Sequence, residues 1–186
     1  MPVSDVMIEG VTLIRTERPD DMGVVREFND QAFSRPDEGR LVDAVRHRTE
    51  PTISLVAVDE NDADAADARV IGHILFSQVT IESPTATVTA IGLGPIAVRP
   101  DRQRSGVGTE LIRHGLERCR EAGYTIVVVL GHPSYYPRFG FSLARTCGIH
   151  WEHEVPGDPF MVMELNPGAL EGVTGTARYL PEFMSM

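Results

Sequence analysis

The chain has 186 residues, in which 27 acidic side chains outweigh 17 arginines and no lysine occurs, so the net charge is -10. This length predicts one domain spanning residues 1–186. The negative charge disfavours nucleic acid as a partner, because binding to a phosphate backbone depends on cations. The absence of lysine excludes enzymes that form a Schiff base on a lysine and nucleoside triphosphatases that use a P-loop lysine.

The sequence also predicts the cellular compartment of the protein. No apolar stretch reaches the roughly 18 residues of a membrane-spanning helix, and the opening MPVSDVMIEG lacks the basic-then-apolar order of a signal peptide. Cys119 and Cys147 are too few for a disulfide framework. We therefore expect a cytoplasmic protein with reduced thiols and no membrane partner.

Hydrophobic spacing predicts alternating strands and helices in the first half of the chain. Alternating apolar and polar residues mark a first strand, and recurrent apolar residues after Pro19 mark a helix that ends near Phe33. The acidic run NDADAAD is interpreted as an exposed connection. The predicted elements are a strand at 11–16, helices at 20–33 and around 41–45, and strands at 52–60 and 68–83.

The second half continues the alternation. A fourth strand at 85–98 contains the irregular stretch GLGP, and a helix with one apolar face follows it until Gly123. The run TIVVVLG at 125–131 predicts a central strand buried on both faces. Because a helix joins the fourth and fifth strands, they are expected to pair in parallel. A strand at 159–165 follows, and 166–186 is expected to be a loop or tail.

The turn VRPDRQRSGVGTEL, between the fourth strand and the helix, has the chemistry of a phosphate-binding site. Gly106 and Gly108 let the backbone approach an anion closely, and the amides from Gln103 to Gly108 lie at the positive end of the helix. Arginines at 99, 102 and 104 add cationic donors. A dinucleotide fold is excluded, since the spacing is Q-x-x-G-x-G and no acidic residue ends the next strand.

These residues carry a resemblance to a known family. The stretch IAVRPDRQRSGVGTEL is similar to the acetyl-CoA signature of the GCN5-related N-acetyltransferases (GNAT), and YYPRFGF resembles the family's Y-x-x-x-G-F element. The resemblance covers about residues 11–165. It implies an α/β fold with a mixed, mostly antiparallel sheet of about six to seven strands and flanking helices. The fourth and fifth strands are then parallel and splayed, with the pantetheine arm of acetyl-CoA in the opening.

The resemblance also implies how the cosubstrate is held. The backbone of the strand end offers groups to the pantetheine arm, and a free N–H near Ile96 polarises the thioester carbonyl. The turn holds the diphosphate, while Arg138 either reaches the CoA phosphates or pairs with a surface acid. The implied binding residues are Ile96, Ala97, Val98, Gln103, Arg104, Ser105, Gly106, Val107, Gly108 and Arg138.

Tyr136 matches the family position of a general acid that protonates the departing thiolate. The alternative is an aromatic ring that packs beneath the element, a role that Tyr135 also fits. Pro137 departs from the commoner pattern and is expected to move Tyr136 away from helical geometry. Phe139 and Phe141 are expected to fill the core.

The general base is left open by the sequence. His132, after the fifth strand, is the preferred candidate, and the others are Glu82, Glu38 and His73. His73 lies inside an apolar strand and is interpreted as a packed, hydrogen-bonded histidine, and Glu82 as a solvated strand end. Direct attack with water carrying the proton is the default.

Covalent and metal chemistry are disfavoured. Cys119 lies on the apolar face of the helix and is interpreted as buried packing. Cys147, His150 and His153 match no common zinc spacing, so no metal is expected.

The prediction is an N-acetyltransferase that moves the acetyl group of acetyl-CoA to a primary amine of a small molecule or peptide in a ternary complex. The resemblance is also compatible with a homodimer. Helices between about residues 20 and 48 are expected to wall the acceptor. Two alternatives stay open at this point. One is a non-catalytic acyl-CoA-binding or CoA-binding module, and the other is an interaction domain that has lost the ligand.

Overall fold

A computed structural model describes residues 6–8, 12–33, 37–46, 48, 51–59, 70–153, 156–157 and 159–185. The chain divides into two compact units. The first comprises Met1–Leu75 and Pro95–Gly115, and the second comprises Phe76–Gly94 and Leu116–Ser185. Two long strands and one helix contribute residues to both units. That the chain forms a single domain stays a prediction.

The first unit combines an antiparallel set of strands with two helices. The strands follow the order β1–β2–β3–β4, with β1 antiparallel to β2 and β2 antiparallel to β3. Their bounds are β1 Val6–Ile8, β2 Thr12–Thr16, β3 Thr52–Asp59 and β4 Val70–Glu82, and the helices are α1 Met22–Phe33 and α2 Asp37–Arg46. Both predicted helices are confirmed, although α2 begins earlier than its apolar residues indicate.

Helix α3 (Val107–Glu121) packs its first turns on β4 in this unit. A Cβ built on Gly72 of β4 would lie 2.9 Å from Leu111 Cδ1 and 3.0 Å from Val107 Cγ1. The glycine therefore lets the start of α3 approach the strand closely. The predicted apolar face of the helix is confirmed, because Val107, Leu111, Leu116 and Cys119 are all buried.

The second unit contains the mixed part of the strand pairing. Its order is β4–β5–β6–β9–β7, and β10 pairs with β4 and with β8. The remaining strands are β5 Thr87–Val98, β6 Ile126–Leu130, β7 Ser142–Leu143, β8 Ile149–Trp151, β9 Phe160–Glu164 and β10 Gly175–Arg178. Parallel pairing of β5 with β6 confirms the predicted relation between the fourth and fifth strands of the sequence analysis.

The described residues form ten strands, where the sequence analysis expects six or seven. The additional strands are short, with three residues in β1 and in β8, two in β7 and four in β10. The expectation of a loop or tail is wrong at Gly175–Arg178. This segment pairs antiparallel with β4 and parallel with β8, and Ala177 is fully buried.

The core of the second unit lies on one face of its strands. It is built from Val79, Ile81, Ala90, Ile126, Val128, Ala144, Ile149, Phe160, Val162 and Ala177. Trp151 and Tyr179 pack against it from the C-terminal region. Among the described residues, no helix has the length and apolarity to cross a bilayer.

Candidate active site

The predicted phosphate turn belongs to the first unit. A one-turn 3-10 helix at Pro100–Arg102 precedes it and α3 starts at Val107. Gly106 has φ +95, and a Cβ built there would meet no atom within 4 Å. Glu110 N donates to Gly106 O at 3.1 Å, which begins the helical ladder. The first amides of the helix therefore have no intrahelical acceptor and are available to an anion.

The arginines around the turn differ in their partners. The guanidinium of Arg99 donates to both carboxylate oxygens of Asp101, at 2.7 and 3.1 Å, and Arg102 pairs with the buried Asp59 at 2.6 Å. The sequence analysis expects both to add cationic donors, and in the structure the positive charge of each is paired with a nearby carboxylate. Arg104 is exposed and makes no ion pair within the described part of the chain.

Arg104 also adopts a rare backbone conformation. Its φ is +61, the only positive value of a non-glycine residue in the described ranges. Such strain is uncommon outside glycine and is often found at functional sites. The turn is held from both sides, because Ser105 Oγ donates to Arg102 O at 2.6 Å and Gln103 Nε2 donates to Val98 O at 3.2 Å.

The strand end that leads into the turn is anchored to β4. Arg99 N donates to Ile71 O at 2.9 Å. Ala97 is buried, whereas Ile96 and Val98 are half-buried on the other side of the strand. This alternation indicates that one face of the strand end is buried and the other face is partly accessible.

The parallel ladder of the second unit ends shortly before that segment. Its register joins Ile91–Leu93 of β5 to Val127–Val129 of β6. Gly94 follows directly with φ +148, a conformation that side-chain-bearing residues rarely adopt. The irregularity predicted at GLGP is therefore present where the ladder stops.

Tyr136 lies in the second unit, in a one-turn 3-10 helix at Tyr136–Phe139. Its ring packs edge-on against Tyr135 and Phe141, with centroids 5.3 and 5.7 Å away. The backbone of the element folds back on His132, whose carbonyl accepts from Tyr135 N at 2.9 Å. Gly140 ends the turn with φ +102, which explains the glycine of the Y-x-x-x-G-F element.

The ring of Tyr136 is buried, but its hydroxyl is not completely shielded from solvent. The residue is 7% exposed. Its hydroxyl makes no hydrogen bond to a described residue, yet it is not among the solvent-sealed polar atoms. Burial, together with the neighbouring Tyr135, raises the pKa of Tyr136 to about 12. The phenol is therefore protonated at neutral pH, so in a proton transfer it can act as the acid but not as the base.

Two expectations about this element need correction. Pro137 does not move Tyr136 out of helical geometry, because a proline is tolerated in the first turn, where its missing N–H has no partner. Phe141 is buried as expected, but Phe139 is only half-buried, and its ring packs edge-on against Tyr135 with centroids 5.5 Å apart.

Arg138 lies on the outside of the same element. Its guanidinium carbon is 4.6 Å from the centroid of the Tyr135 ring, and its Nε donates to Tyr135 O at 2.9 Å. This is a cation–π contact rather than the surface ion pair that the sequence analysis considered. The contact fixes the guanidinium at the face of Tyr135.

The candidate bases are in different environments. His132 is exposed, two residues beyond β6. Glu82 accepts from Arg178 Nε at 2.8 Å, so it is an ion-paired strand end. Glu38 begins α2 as its second residue, but its side chain lies outside the described residues. The surroundings of Glu82 therefore favour a structural role.

His73 is confirmed as a packed, hydrogen-bonded histidine. It is fully buried in the first unit, where Asn29 Nδ2 lies 3.1 Å from its Nδ1 and Ser54 Oγ lies 2.9 Å from its Nε2. Ser54 donates to Glu17 at 2.5 Å, so Nε2 must carry the hydrogen that Ser54 accepts. Burial and the charge of Arg46 lower the pKa of His73 to about 3.

The cysteines and the remaining histidines supply no obvious chemistry. Burial raises the pKa of the Cys119 thiol to about 12, so it is an inert packing group. His153 packs edge-on against Trp151 with ring centroids 5.0 Å apart, and Cys147 is half-buried. Within the described ranges, no three His, Cys, Asp or Glu side chains come together as metal ligands.

Two residues of this region are absent from the sequence analysis. A Cβ on Gly131 would lie 2.2 Å from Cε2 of Tyr136, so the glycine makes room for the ring. A glycine directly after a fully apolar strand and before an aromatic pair is the available signal. Tyr179, after β10, has no local signal because its neighbours lie far away in sequence.

Comparisons with known proteins identify the same family as the sequence motifs. A family model described as an acetyltransferase (GNAT) domain matches residues 13–144. The Escherichia coli K12 protein named "Uncharacterized N-acetyltransferase YhbS" is 33% identical over 171 residues, which are 92% of this chain and 98% of that protein.

Two crystal structures share the fold at similar identity. The GNAT family N-acetyltransferase YhbS of Escherichia coli in complex with CoA has a TM-score of 0.83 and 32% identity, covering 97% of this chain and 96% of that one. A GNAT family acetyltransferase from Brucella melitensis in complex with acetyl-CoA has a TM-score of 0.73 and 34% identity, covering 94% and 99%.

Proposed function

Because the chain belongs to the GNAT family of N-acetyltransferases, we propose that it transfers the acetyl group of acetyl-CoA to the primary amine of a small molecule or peptide. Acetyl-CoA is the cosubstrate, in keeping with relatives crystallised with CoA and acetyl-CoA. The transfer takes place directly within a ternary complex of enzyme, acetyl-CoA and amine.

The observation that carries this proposal is the turn from Gln103 to Gly108. The amides in the first turn of α3 have no intrahelical acceptor, Gly106 leaves open space, and Arg104 has a guanidinium without an ion-pair partner in the described ranges. These are the donors that a diphosphate requires. In this proposal the amides hold the diphosphate, and the exposed side of Ile96–Val98 holds the pantetheine arm.

The reaction needs a proton acceptor and a proton donor. The neutral amine nitrogen bonds to the thioester carbonyl carbon, the C–S bond breaks, and the nitrogen loses one proton. Tyr136 gives its phenolic proton to the departing sulfur, since its hydroxyl makes no hydrogen bond to a described residue, and the phenolate then regains a proton from water. A backbone N–H near Ile96 stabilises the developing oxyanion.

The amine proton leaves through water. His73 has both ring nitrogens engaged and Glu82 is paired with Arg178, so neither is available as a base. His132 is exposed and remains the preferred side chain to receive the proton. An amine of pKa near 10.4 is neutral in about one molecule in a thousand at pH 7, so this removal matters for the rate.

A panel of amines tests the proposal. Thiol release from acetyl-CoA and the mass of the acetylated product are measured for the wild type and for Tyr136→Phe. The proposal expects product with at least one amine, and at least tenfold lower kcat with unchanged acetyl-CoA affinity in the variant. Saturable acetyl-CoA binding without acetylation of any amine would support the non-catalytic alternative instead.

A further inference from the structure

Arg138 is an ordered arginine whose charge is not neutralised by any described residue. Its guanidinium carbon lies 4.6 Å from the centroid of the Tyr135 ring, and its Nε donates to Tyr135 O at 2.9 Å. The side chain is exposed, and its two Nη atoms make no hydrogen bond or ion pair within the described part of the chain. The guanidinium is therefore fixed through Nε and its planar face, and the edge formed by the two Nη atoms is available to a ligand.

The surroundings of Arg138 differ in charge from the rest of the chain. Acidic side chains outnumber arginines 27 to 17, and several arginines have a carboxylate partner. Examples are the pairs of Arg102 with Asp59 and of Arg178 with Glu82. In contrast, the 30 residues 122–151 contain no aspartate or glutamate. The segment that carries Arg138 is therefore a basic site in an acidic protein, which favours an anionic ligand.

The geometry of the free edge selects a particular kind of anion. Two parallel N–H···O bonds from an arginine to a carboxylate or phosphate are both strong and specific. Because the contacts with Tyr135 already order the side chain, little further conformational entropy is lost when a ligand binds. The oxyanion can belong to the amine acceptor, as a carboxylate, or to CoA, as a phosphate.

The position of Arg138 favours the acceptor. The ring centroids of Tyr135 and Tyr136 are 5.3 Å apart, and this distance and the 4.6 Å from Arg138 to Tyr135 add to 9.9 Å. The guanidinium carbon therefore lies no farther than 9.9 Å from the ring centre of the proposed acid. An amino acid or a dipeptide carries its carboxylate about 3.5–7 Å from its amine, which suits this separation. In CoA, roughly thirteen bonds, or about 15 Å of extended chain, separate the sulfur from the first phosphorus.

We propose that Arg138 binds a carboxylate of the acceptor through its two Nη atoms, so that the substrate is an amino acid or a short peptide with a free carboxylate. This inference rests on the proposed acetyl transfer to a primary amine and narrows the class of amine. Arg138 is then a specificity residue, which contacts the substrate away from the reacting atoms.

Matched acceptor pairs provide the kinetic test. Values of kcat/KM are measured for β-alanine against β-alaninamide and for glycylglycine against glycylglycinamide. The wild type should prefer the carboxylate of each pair at least tenfold, mainly through KM, and Arg138→Gln should bring the ratio close to one. Arg145→Gln, at an exposed arginine of the same acid-free segment, should keep the wild-type ratio.

Two kinetic results would overturn the inference. One is a wild-type enzyme that acetylates amines without preferring the carboxylates. The other is an equal loss for both members of each pair in Arg138→Gln, which would show that the arginine only holds Tyr135 in place.

A spectroscopic test does not depend on activity. In the full chain labelled with 15N-arginine, the Nε signal of Arg138 is identified among 17 arginines by its loss in Arg138→Gln. With CoA present, N-acetylglycine should shift this signal saturably, whereas N-acetylglycinamide should not. A shift caused by CoA but not by N-acetylglycine would assign the guanidinium to a CoA phosphate and overturn the inference. The expected shift in a protein that acetylates no amine would support the carboxylate site and count against the proposed function only.

Discussion

Gly131 lies under the ring of Tyr136 so closely that a single added carbon would reach within 2.2 Å of Cε2 and 3.1 Å of Cζ. The first distance is far below van der Waals contact and the second is shorter than ordinary contact, and the ring is held from other sides by Tyr135 and Phe141. The small size of Gly131, rather than its backbone freedom, therefore sets the position of the proposed acid.

Gly131→Ala should displace this ring and lower kcat at least tenfold, since a misplaced proton donor loses its alignment with the sulfur. Acetyl-CoA affinity, measured by calorimetry, should change little. Overpacking should also reduce the free energy of unfolding by about 1–3 kcal/mol. Gly23→Ala, at a helical glycine with open space around it, is the control for stability, where the added methyl group should stabilise the helix by about 0.5–1 kcal/mol. Wild-type kcat in Gly131→Ala would contradict this interpretation.

Gly106 and Gly123 form a matched pair for testing the phosphate turn. Both have positive φ, +95 and +88, and neither has an atom within 4 Å of a built Cβ. Alanine at either position should cause a similar backbone strain, on the order of 1 kcal/mol. Only Gly106→Ala should weaken acetyl-CoA binding, by about tenfold in Kd, because only that glycine shapes the amides at the start of α3. Equal effects on Kd would remove the turn from the binding site.

Comparing Arg104 with Arg99 tests whether an arginine without an ion pair contributes more to acetyl-CoA binding than an ion-paired one. The guanidinium of Arg99 is held by Asp101, whereas Arg104 is exposed without an ion pair in the described ranges. Arg104→Gln should therefore raise the Kd for acetyl-CoA about three- to tenfold, and the effect should shrink in high salt. Arg99→Gln should have the smaller effect. The reverse order in a titration at low salt would show that the ion pair opens on binding.

The features of the molecule that are determined by residues close together in the sequence can be predicted from the sequence. The apolar face of α3 and the parallel relation of β5 and β6 follow from local spacing, and both predictions are confirmed. That the turn binds phosphate stays a prediction. Tyr136 was identified from its spacing to Gly140, and its role as an acid stays a prediction. Local patterns work here because the helix has a clear helical periodicity and the buried strand is an uninterrupted apolar run.

What was missed depends on partners that are distant in sequence. Strand β10 has four residues with one buried side chain, so it shows no periodicity, and it forms only because β4 and β8 offer edges. The pairing of Arg102 with Asp59 joins residues from separate elements. Sequence spacing carries no information about such contacts, which explains why the turn was expected to be more cationic than it is.

The buried His73 predicts how stability depends on pH. Its pKa in the folded state, about 3, lies below the value of 6.5 for an exposed histidine. The unfolded chain therefore takes up a proton first, and stability is lost as pH falls from about 6.5 toward 3. Between pH 7 and 5 the free energy of unfolding should decrease by about 2 kcal/mol through this residue.

Denaturant unfolding at several pH values measures this decrease. His73→Gln should be less stable at pH 7, because two buried hydrogen bonds are disturbed, but its stability should vary less between pH 7 and 5. His150→Gln, at an exposed histidine, should retain the wild-type dependence. A wild-type slope in His73→Gln would show that the histidine is not neutral in the folded protein.

The central claim is that the amides from Gln103 to Gly108 hold the diphosphate of acetyl-CoA. Calorimetric titration with acetyl-CoA and with S-acetylpantetheine, which carries the same acyl arm but lacks the diphosphate and the adenosine phosphate attached to it, tests it most directly. We predict saturable binding of acetyl-CoA and at least hundredfold weaker binding of S-acetylpantetheine, in line with the loss of several charge-assisted hydrogen bonds. Equal affinity for the two compounds, or no binding of acetyl-CoA, would contradict the claim.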